Sequence, residues 1–293
     1  MTPEAGVRPS RRVRPVPAAI NAVVRAAPQL QPSIEKLLWR AFYEIASARG
    51  RNVGTALMNY GYATAAEIDG GGGDDDRFGL ALYGAVAAGG DLEGKDVLEV
   101  GCGRGGGSAF VFERFHPRSM TGVDLARSAI DRCRRRYGRP GLTFSTGDAQ
   151  SLPLPAEAFD AVINVESSHC YPDMALFLGE VRRVLRPGGQ LLLADFRPSD
   201  SSAAGDGAED DVHALRRQLA EAGFRTVEEQ DITAEVLRAL SLATPAVRAR
   251  IQRRVPRLLR GKALEFSAVE GSAIFRSFAA GERTYLRFAL AKS

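Results

Sequence analysis

Residues 96–107 read Asp-Val-Leu-Glu-Val-Gly-Cys-Gly-Arg-Gly-Gly-Gly, a short apolar run that ends in glycines at alternate positions. Val97, Leu98 and Val100 suit a strand buried on both faces. Gly101, Gly103 and Gly105 then form a turn that a Cβ would oppose, and they leave bare backbone for a ligand to lie against. Ser108–Phe115 reads as a helix. Strand, glycine turn and helix in that order predict the first unit of a parallel α/β sheet with a nucleotide-like ligand on its loop. Glu99, one residue before the strand's end, is placed to orient the loop or a ligand's amino group.

The alternation continues. Strands are expected at 96–100, 119–124, 142–146, 159–165 and 189–195, and helices at 107–115, 126–137, 173–185 and 210–222, with Pro187-Gly188-Gly189 as a sharp stop. Right-handed crossovers of this kind build a parallel sheet with helices on both faces. Two later strands, near 225–231 and 284–291, are separated by a mostly helical insertion. Ahead of the sheet, residues 1–16 read as a disordered arm. Pro17–Ala27, Ser33–Arg49 and Phe78–Ala88 read as helices, interrupted by the aromatic loop Met58–Ala63 and a breaker at Gly70–Gly73 and Asp74–Asp76. The expected organisation is an arm (1–16), an N-terminal helical cap (17–90), a Rossmann-like core (91–231), a helical lid over the substrate (232–282) and a last core strand (283–293).

Composition excludes several classes. The three cysteines, Cys102, Cys133 and Cys170, are too few and scattered for a disulfide framework or a zinc site, which suits a reducing, cytoplasmic setting. No apolar run reaches the roughly 18–20 residues of a membrane span. The net charge of +4 is concentrated in Arg8, Arg11, Arg12 and Arg14 and in a run from Arg248 to Arg260. Those runs fit a solvated arm and the polar face of a helix, or a nucleic-acid contact. Oligomeric state is not readable from the chain.

The glycine loop alone admits NAD, FAD or S-adenosylmethionine. Gly101-Cys102-Gly103-Arg104-Gly105-Gly106 satisfies G-x-G-x-x-G, while Glu99, Gly101, Gly103 and Gly105 satisfy E-x-G-x-G-x-G. Asp124 ends the second expected strand, 21 residues beyond Gly103, where a carboxylate can accept hydrogen bonds from both hydroxyls of a ribose or cap the following helix. Leu125 follows it at the same edge. The segments GDAQSLPLPAEAFD (147–160) and EVRRVLRPGGQLLLADF (180–196) then decide between the readings, because in this order they resemble class I S-adenosylmethionine-dependent methyltransferases. The resemblance covers 96–196 strongly. It implies a seven-stranded Rossmann-like sheet, S-adenosylmethionine as cofactor, and Asp148 and the backbone of Ala149 beside the adenine.

The fourth strand runs into NVESSHCYPD (164–173). Base-modifying amino methyltransferases carry Asn/Asp-Pro-Pro-aromatic here, so Asn164-Val165-Glu166-Ser167 argues against a nucleic-acid substrate. This segment, with MNYGY (58–62) and residues 265–290, is similar to actinobacterial O-methyltransferases of polyketide-derived lipids and macrolides, the phthiotriolone type among them. The resemblance implies a small-molecule acceptor, methylated on a hydroxyl. Transfer to nitrogen or carbon, or a cyclisation with the cofactor held structurally, remains open.

His169 is the expected proton acceptor, since an attacking alcohol must lose its proton and imidazole titrates near neutrality. A loop-fixing role would use the same residue. Glu166 is expected to orient that imidazole or contact the cofactor. Asn164 and Tyr60 complete the expected cofactor set, Tyr60 from the cap side. Leu237, Leu240, Leu258, Leu259, Phe266, Ile274 and Phe275 are expected to line the lid or pack the core. Glu166, Asp173 and Asp195 match no metal-ligand spacing, so no metal is implied.

Overall fold

The computed structural model describes residues 57–66, 76–199 and 211–293. The arm, the helices expected at Pro17–Ala27 and Ser33–Arg49, and most of the glycine–aspartate breaker lie outside those residues. Helix α1 (Arg77–Ala87) leads into β1 (Asp96–Val100), α2 (Gly106–Phe115), β2 (Ser119–Asp124), α3 (Arg127–Tyr137), β3 (Leu142–Thr146) and β4 (Phe159–Val165). Next come α4 (Met174–Val184), β5 (Leu185–Pro198), α5 (Val212–Glu221) and β6 (Phe224–Asp231). Helices α6 (Thr233–Arg254), α7 (Arg260–Phe266) and α8 (Ala273–Ala279) precede β7 (Arg283–Lys292).

The seven strands form one sheet in the order β3-β2-β1-β4-β5-β7-β6. Strands β1 to β5 pair in parallel, and β7 slots in antiparallel between β5 and β6. The alternation of strand side chains explains the layers. Val97 of β1 joins a cluster with Leu82 of α1, Val111 of α2, Ile130 of α3 and Val236 of α6. Leu98 and Val100 face the other way, onto Phe177 and Leu178 of α4 and Leu215 of α5. Buried residues of α4 recur as Phe177, Leu178, Val181 and Val184, and the Asp173 carboxylate caps its start by accepting from the Leu176 amide at 3.0 Å.

The boundaries of β5 differ most from expectation. The helix expected to reach 185 stops at Val184, and Leu185 immediately pairs with Phe159. Pro187 cannot continue a helix and Gly188 sits at φ +73°, so the chain loops out before regular pairing resumes at Gln190 with Ala161. At the other end β5 runs on to Pro198 because β7 accompanies it as far as Arg283.

Residues 232–282 are mostly helical, but their apolar side chains divide. Leu240 is buried, and Leu237, Ile274 and Phe275 pack against the core. Leu258 and Leu259, expected to line or pack, instead face solvent. The short turn Arg257–Leu259 between α6 and α7 buries nothing, which is the local reason. Among the described residues no helix is long and apolar enough to cross a membrane.

Candidate active site

The parallel strands β1, β2, β3 and β4 all end on one edge of the sheet, and the loops leaving them surround a cavity that opens to solvent. Such an edge is where ligands bind in open α/β sheets. Its wall includes Gly101–Arg104 after β1, Asp124 and Leu125 after β2, Gly147–Gln150 after β3, and Glu166, Ser167 and Cys170–Pro172 after β4. Leu57–Asn59, Tyr83 and Phe266 close it from outside the sheet.

The glycine turn is built as its sequence demands. Gly101, Gly103 and Gly105 have φ of +79°, +52° and +78°. A Cβ on Gly101 would lie 1.9 Å from Ser167 Oγ, whereas one on Gly103 would meet only Met58 Cε, at 3.2 Å. Gly103 thus lays bare backbone along the cavity. Gly105 does not line it: a Cβ there would press on Cys133 Sγ at 2.8 Å, so its small size packs the turn against α3. Asp124 accepts from the Gly103 amide at 2.9 Å and the Ala126 amide at 2.8 Å, which locks the loop to the end of β2. Asp148 accepts from the Gln150 amide at 3.1 Å. Bare backbone, then one acid, then a second acid with Ala149 beside it, form a donor and acceptor series that fits a ligand with an amino-acid tail, a diol and an amino-substituted base.

Three further residues expected to bind the cofactor are placed elsewhere. Glu99 is fully buried on the α1/α2 face, where it accepts from Tyr83 Oη at 2.6 Å and from Ser108 Oγ. Burial raises its pKa, against those hydrogen bonds. Its carboxylate therefore braces the loop from behind the cavity wall. Asn164, also fully buried, donates to the Val100 carbonyl at 2.9 Å and Tyr171 Oη at 3.0 Å, tying β4 to β1. The Tyr60 ring stacks on Phe196 with centroids 5.5 Å apart, and Phe278 meets it edge-on at 6.1 Å.

Tyr60 belongs to a strap, residues 57–63, sewn across this edge. Its amide donates to Glu166 Oε1 at 2.8 Å, the Tyr62 amide to the Phe78 carbonyl at 2.9 Å, and Arg238 to the Ala63 carbonyl at 3.0 Å. Glu166 Oε1 also accepts from Tyr285 Oη at 2.8 Å. Glu166 holds φ +46°, a strained value for a residue with a Cβ, and burial pushes its pKa up to about 8. One carboxyl thus joins the strap, β4 and β7.

His169 sits on the short turn Ser168–Cys170, beside the cavity but not in its wall. Its Nδ1 lies 2.8 Å from Asp195 Oδ1, and its backbone amide donates to Asp195 Oδ2, also at 2.8 Å. Asp195, one residue past the end of the β4 pairing of β5, is fully buried and further accepts from Ser168 Oγ at 2.5 Å, with Arg197 at 3.3 Å. Burial alone would raise the Asp195 pKa, yet the charges of His169 and Arg197 hold it well below the carboxylate range. Burial likewise opposes a charged His169, but the Asp195 carboxylate wins and raises the imidazole pKa well above 6.5. The ring is 22% exposed and packs on Phe196 at 4.6 Å. The Asp195 carboxylate fixes the Nδ1 side of the imidazole and favours its protonated form.

The residues not anticipated from sequence are Asp195, Tyr83, Ser108 and Tyr285. Asp195 had one available signal, an acid at the carboxyl end of a parallel strand. Tyr83 and Tyr285 carry none, because they reach Glu99 and Glu166 only through the packing of α1 and β7 against the sheet.

A seven-stranded sheet with its last strand antiparallel, a glycine loop after β1 and acids after β2 and β3 define the class I methyltransferase architecture. A family model described as a methyltransferase domain matches residues 98–193. The chain is 37% identical over 263 residues to the phthiotriol/phenolphthiotriol dimycocerosates methyltransferase of Mycobacterium tuberculosis, spanning 89% of this chain and 94% of that one. It is 39% identical over 250 residues to a fatty-acid O-methyltransferase of Mycolicibacterium smegmatis, over 83% of this chain and 86% of the relative. In fold it is similar to the cyclase SpnF, with a TM-score of 0.67 at 23% identity over 86% of this chain and 94% of that one. The chain belongs to the class I S-adenosylmethionine-dependent methyltransferases, and it is an enzyme whose cofactor is S-adenosylmethionine.

Proposed function

We propose that this enzyme methylates an oxygen, a hydroxyl or carboxyl, on a long, largely apolar acyl or polyketide-type molecule. The single observation that carries the reading is the His169–Asp195 pair, an imidazole with one nitrogen fixed by a buried carboxylate beside the cavity. The names of the mycobacterial relatives support the acceptor class. Exposed Met58 and Phe266 on the cavity wall give its mouth an apolar character that suits such a chain.

When bound, the cofactor supplies a methyl group already activated on a positive sulfonium. The backbone at Gly101 and Gly103 would hold its tail, Asp124 its ribose hydroxyls, and Asp148 with Ala149 its adenine. Glu99 and Gly105 act one layer back, by keeping that loop in shape. The His169 imidazole would take the hydroxyl proton as the acceptor oxygen bonds the methyl carbon, whose bond to sulfur breaks with its electron pair left on sulfur. Asp195 stabilises the imidazolium so formed and keeps the ring in register. The strap and Glu166 exclude water from the line of transfer, which is where most of the rate advantage of such a reaction arises.

The test is incubation with methyl-labelled cofactor and matched acceptors: a long-chain secondary alcohol, a fatty acid, and the corresponding amine. Label in an ether or ester is the expected result. Label on nitrogen or carbon would replace the oxygen assignment. Conversion of an acceptor without label, yet dependent on the cofactor, would favour the cyclisation reading that the SpnF-like fold also admits.

A further inference from the structure

The most exposed large apolar side chain among the described residues is Leu258, 98% exposed on the turn between α6 and α7. Leu259 beside it is 51% exposed and Phe266, at the other end of α7, is 54% exposed. These side chains are not loosely held. Arg260 donates to the Val255 carbonyl at 3.0 Å and the Gln252 carbonyl at 2.6 Å, and so clamps the base of the turn. Along this segment the charge is of one sign. Arg253, Arg254, Arg257 and Lys262 are exposed around the leucines, and residues 246–264 contain no acid. The nearest, Glu265, is turned inward to accept from the amides of Ala273 and Ile274 at 3.1 and 2.9 Å.

Adjacent leucines held into solvent on a segment of exposed cations leave apolar area that a partner would cover. The same pairing of apolar insertion with basic flanks is what an anionic bilayer surface binds. Its position adds to the case. Helix α7 has seven residues, about 10 Å at 1.5 Å per residue, and it links the leucine turn to Phe266 on the cavity wall.

We propose that the Arg253–Lys262 turn is a docking surface for the face of an anionic lipid bilayer, with Leu258 and Leu259 inserted at the headgroup level and the cavity mouth brought to the lipid. This does not rest on the oxygen-methylation reading, because adhesion is measured without turnover. The experiment is sedimentation of the full chain with vesicles of phosphatidylcholine alone and of phosphatidylcholine with phosphatidylglycerol. Partitioning is expected only onto the anionic vesicles, and it should weaken as salt rises. A Leu258→Asp/Leu259→Asp variant should lose about tenfold or more in partitioning. An Arg253→Glu/Arg254→Glu/Arg257→Glu variant should lose at least as much. Both should keep the wild-type circular dichroism and cofactor affinity, since neither change touches the core. Equal binding to neutral vesicles, or no binding to either kind, overturns the proposal. So does binding unmoved by the leucine changes, which would assign the basic surface to an acidic macromolecule instead.

Discussion

The cavity's glycine end and the histidine end beside it are made in different ways. The glycine end is assembled from consecutive units of the chain: β1 and its loop, β2 and Asp124, β3 and Asp148. The histidine end is assembled across the whole sequence. There His169 after β4 meets Asp195 of β5, and Glu166 collects Tyr60 from the strap and Tyr285 from β7, 106 and 119 residues away. A binding loop for a common cofactor can be inherited as a local segment. The histidine end has to be specified by distant parts whose meeting depends on the completed sheet.

The largest expected effect breaks the glycine end alone. Gly101→Val would need a branched side chain at φ +79° and in the space of Ser167 Oγ. Strain and overpacking together should cost about 4 kcal/mol, roughly 10³-fold in cofactor affinity by isothermal titration. The His169–Asp195 hydrogen bond belongs to another part of the fold and should survive.

Asp195→Asn attacks the other end. It frees the Nδ1 side of the imidazole and leaves the buried Arg197 without its carboxylate. Methyl transfer should fall by ~10²–10³-fold with cofactor affinity nearly unchanged. The pH profile sharpens the point. A base works only when deprotonated, and the His169 pKa is raised, so the wild-type rate should climb through a limb above pH 6.5. Without the Asp195 charge that limb should move to lower pH.

The smallest effect concerns the junction between the two ends. The Glu166 pKa is raised from 4.5 to about 8, so the folded protein holds a proton that the unfolded chain releases between those values. The stability from this group is complete below pH 4.5 and declines as pH rises to about 8. Glu166→Gln keeps an acceptor for Tyr60 and Tyr285 but has no proton to lose. Relative to wild type, its melting temperature should be similar at pH 5 and higher by a few degrees at pH 8, on the order of 2 kcal/mol.

The contrast between the ends also explains what could be read from sequence. Strand periodicity, the glycines and the strand-end acids Asp124 and Asp148 are local, so the parallel half of the sheet and the cavity's glycine wall were legible. Glu99 was legible as important but not in its placement: alternation along β1 turns it to the same face as Val97, toward Tyr83 and Ser108 and away from the cavity. Asn164 and Tyr60 lie outside the cavity wall for a related reason, since each packs on neighbours, Tyr171 and Phe196, that only the folded chain supplies. Leu258 and Leu259 resemble core residues in composition, and only the short turn that carries them shows that they face outward.

Cofactor binding on the cavity wall and proton removal beside it are proposed to be separable. His169→Gln tests that separation most directly, with cofactor affinity and single-turnover methyl transfer measured on the same preparation. Wild-type affinity is expected, with transfer reduced by ~10²–10⁴-fold. Transfer retained within a few-fold, or affinity lost in step with the rate, would contradict it.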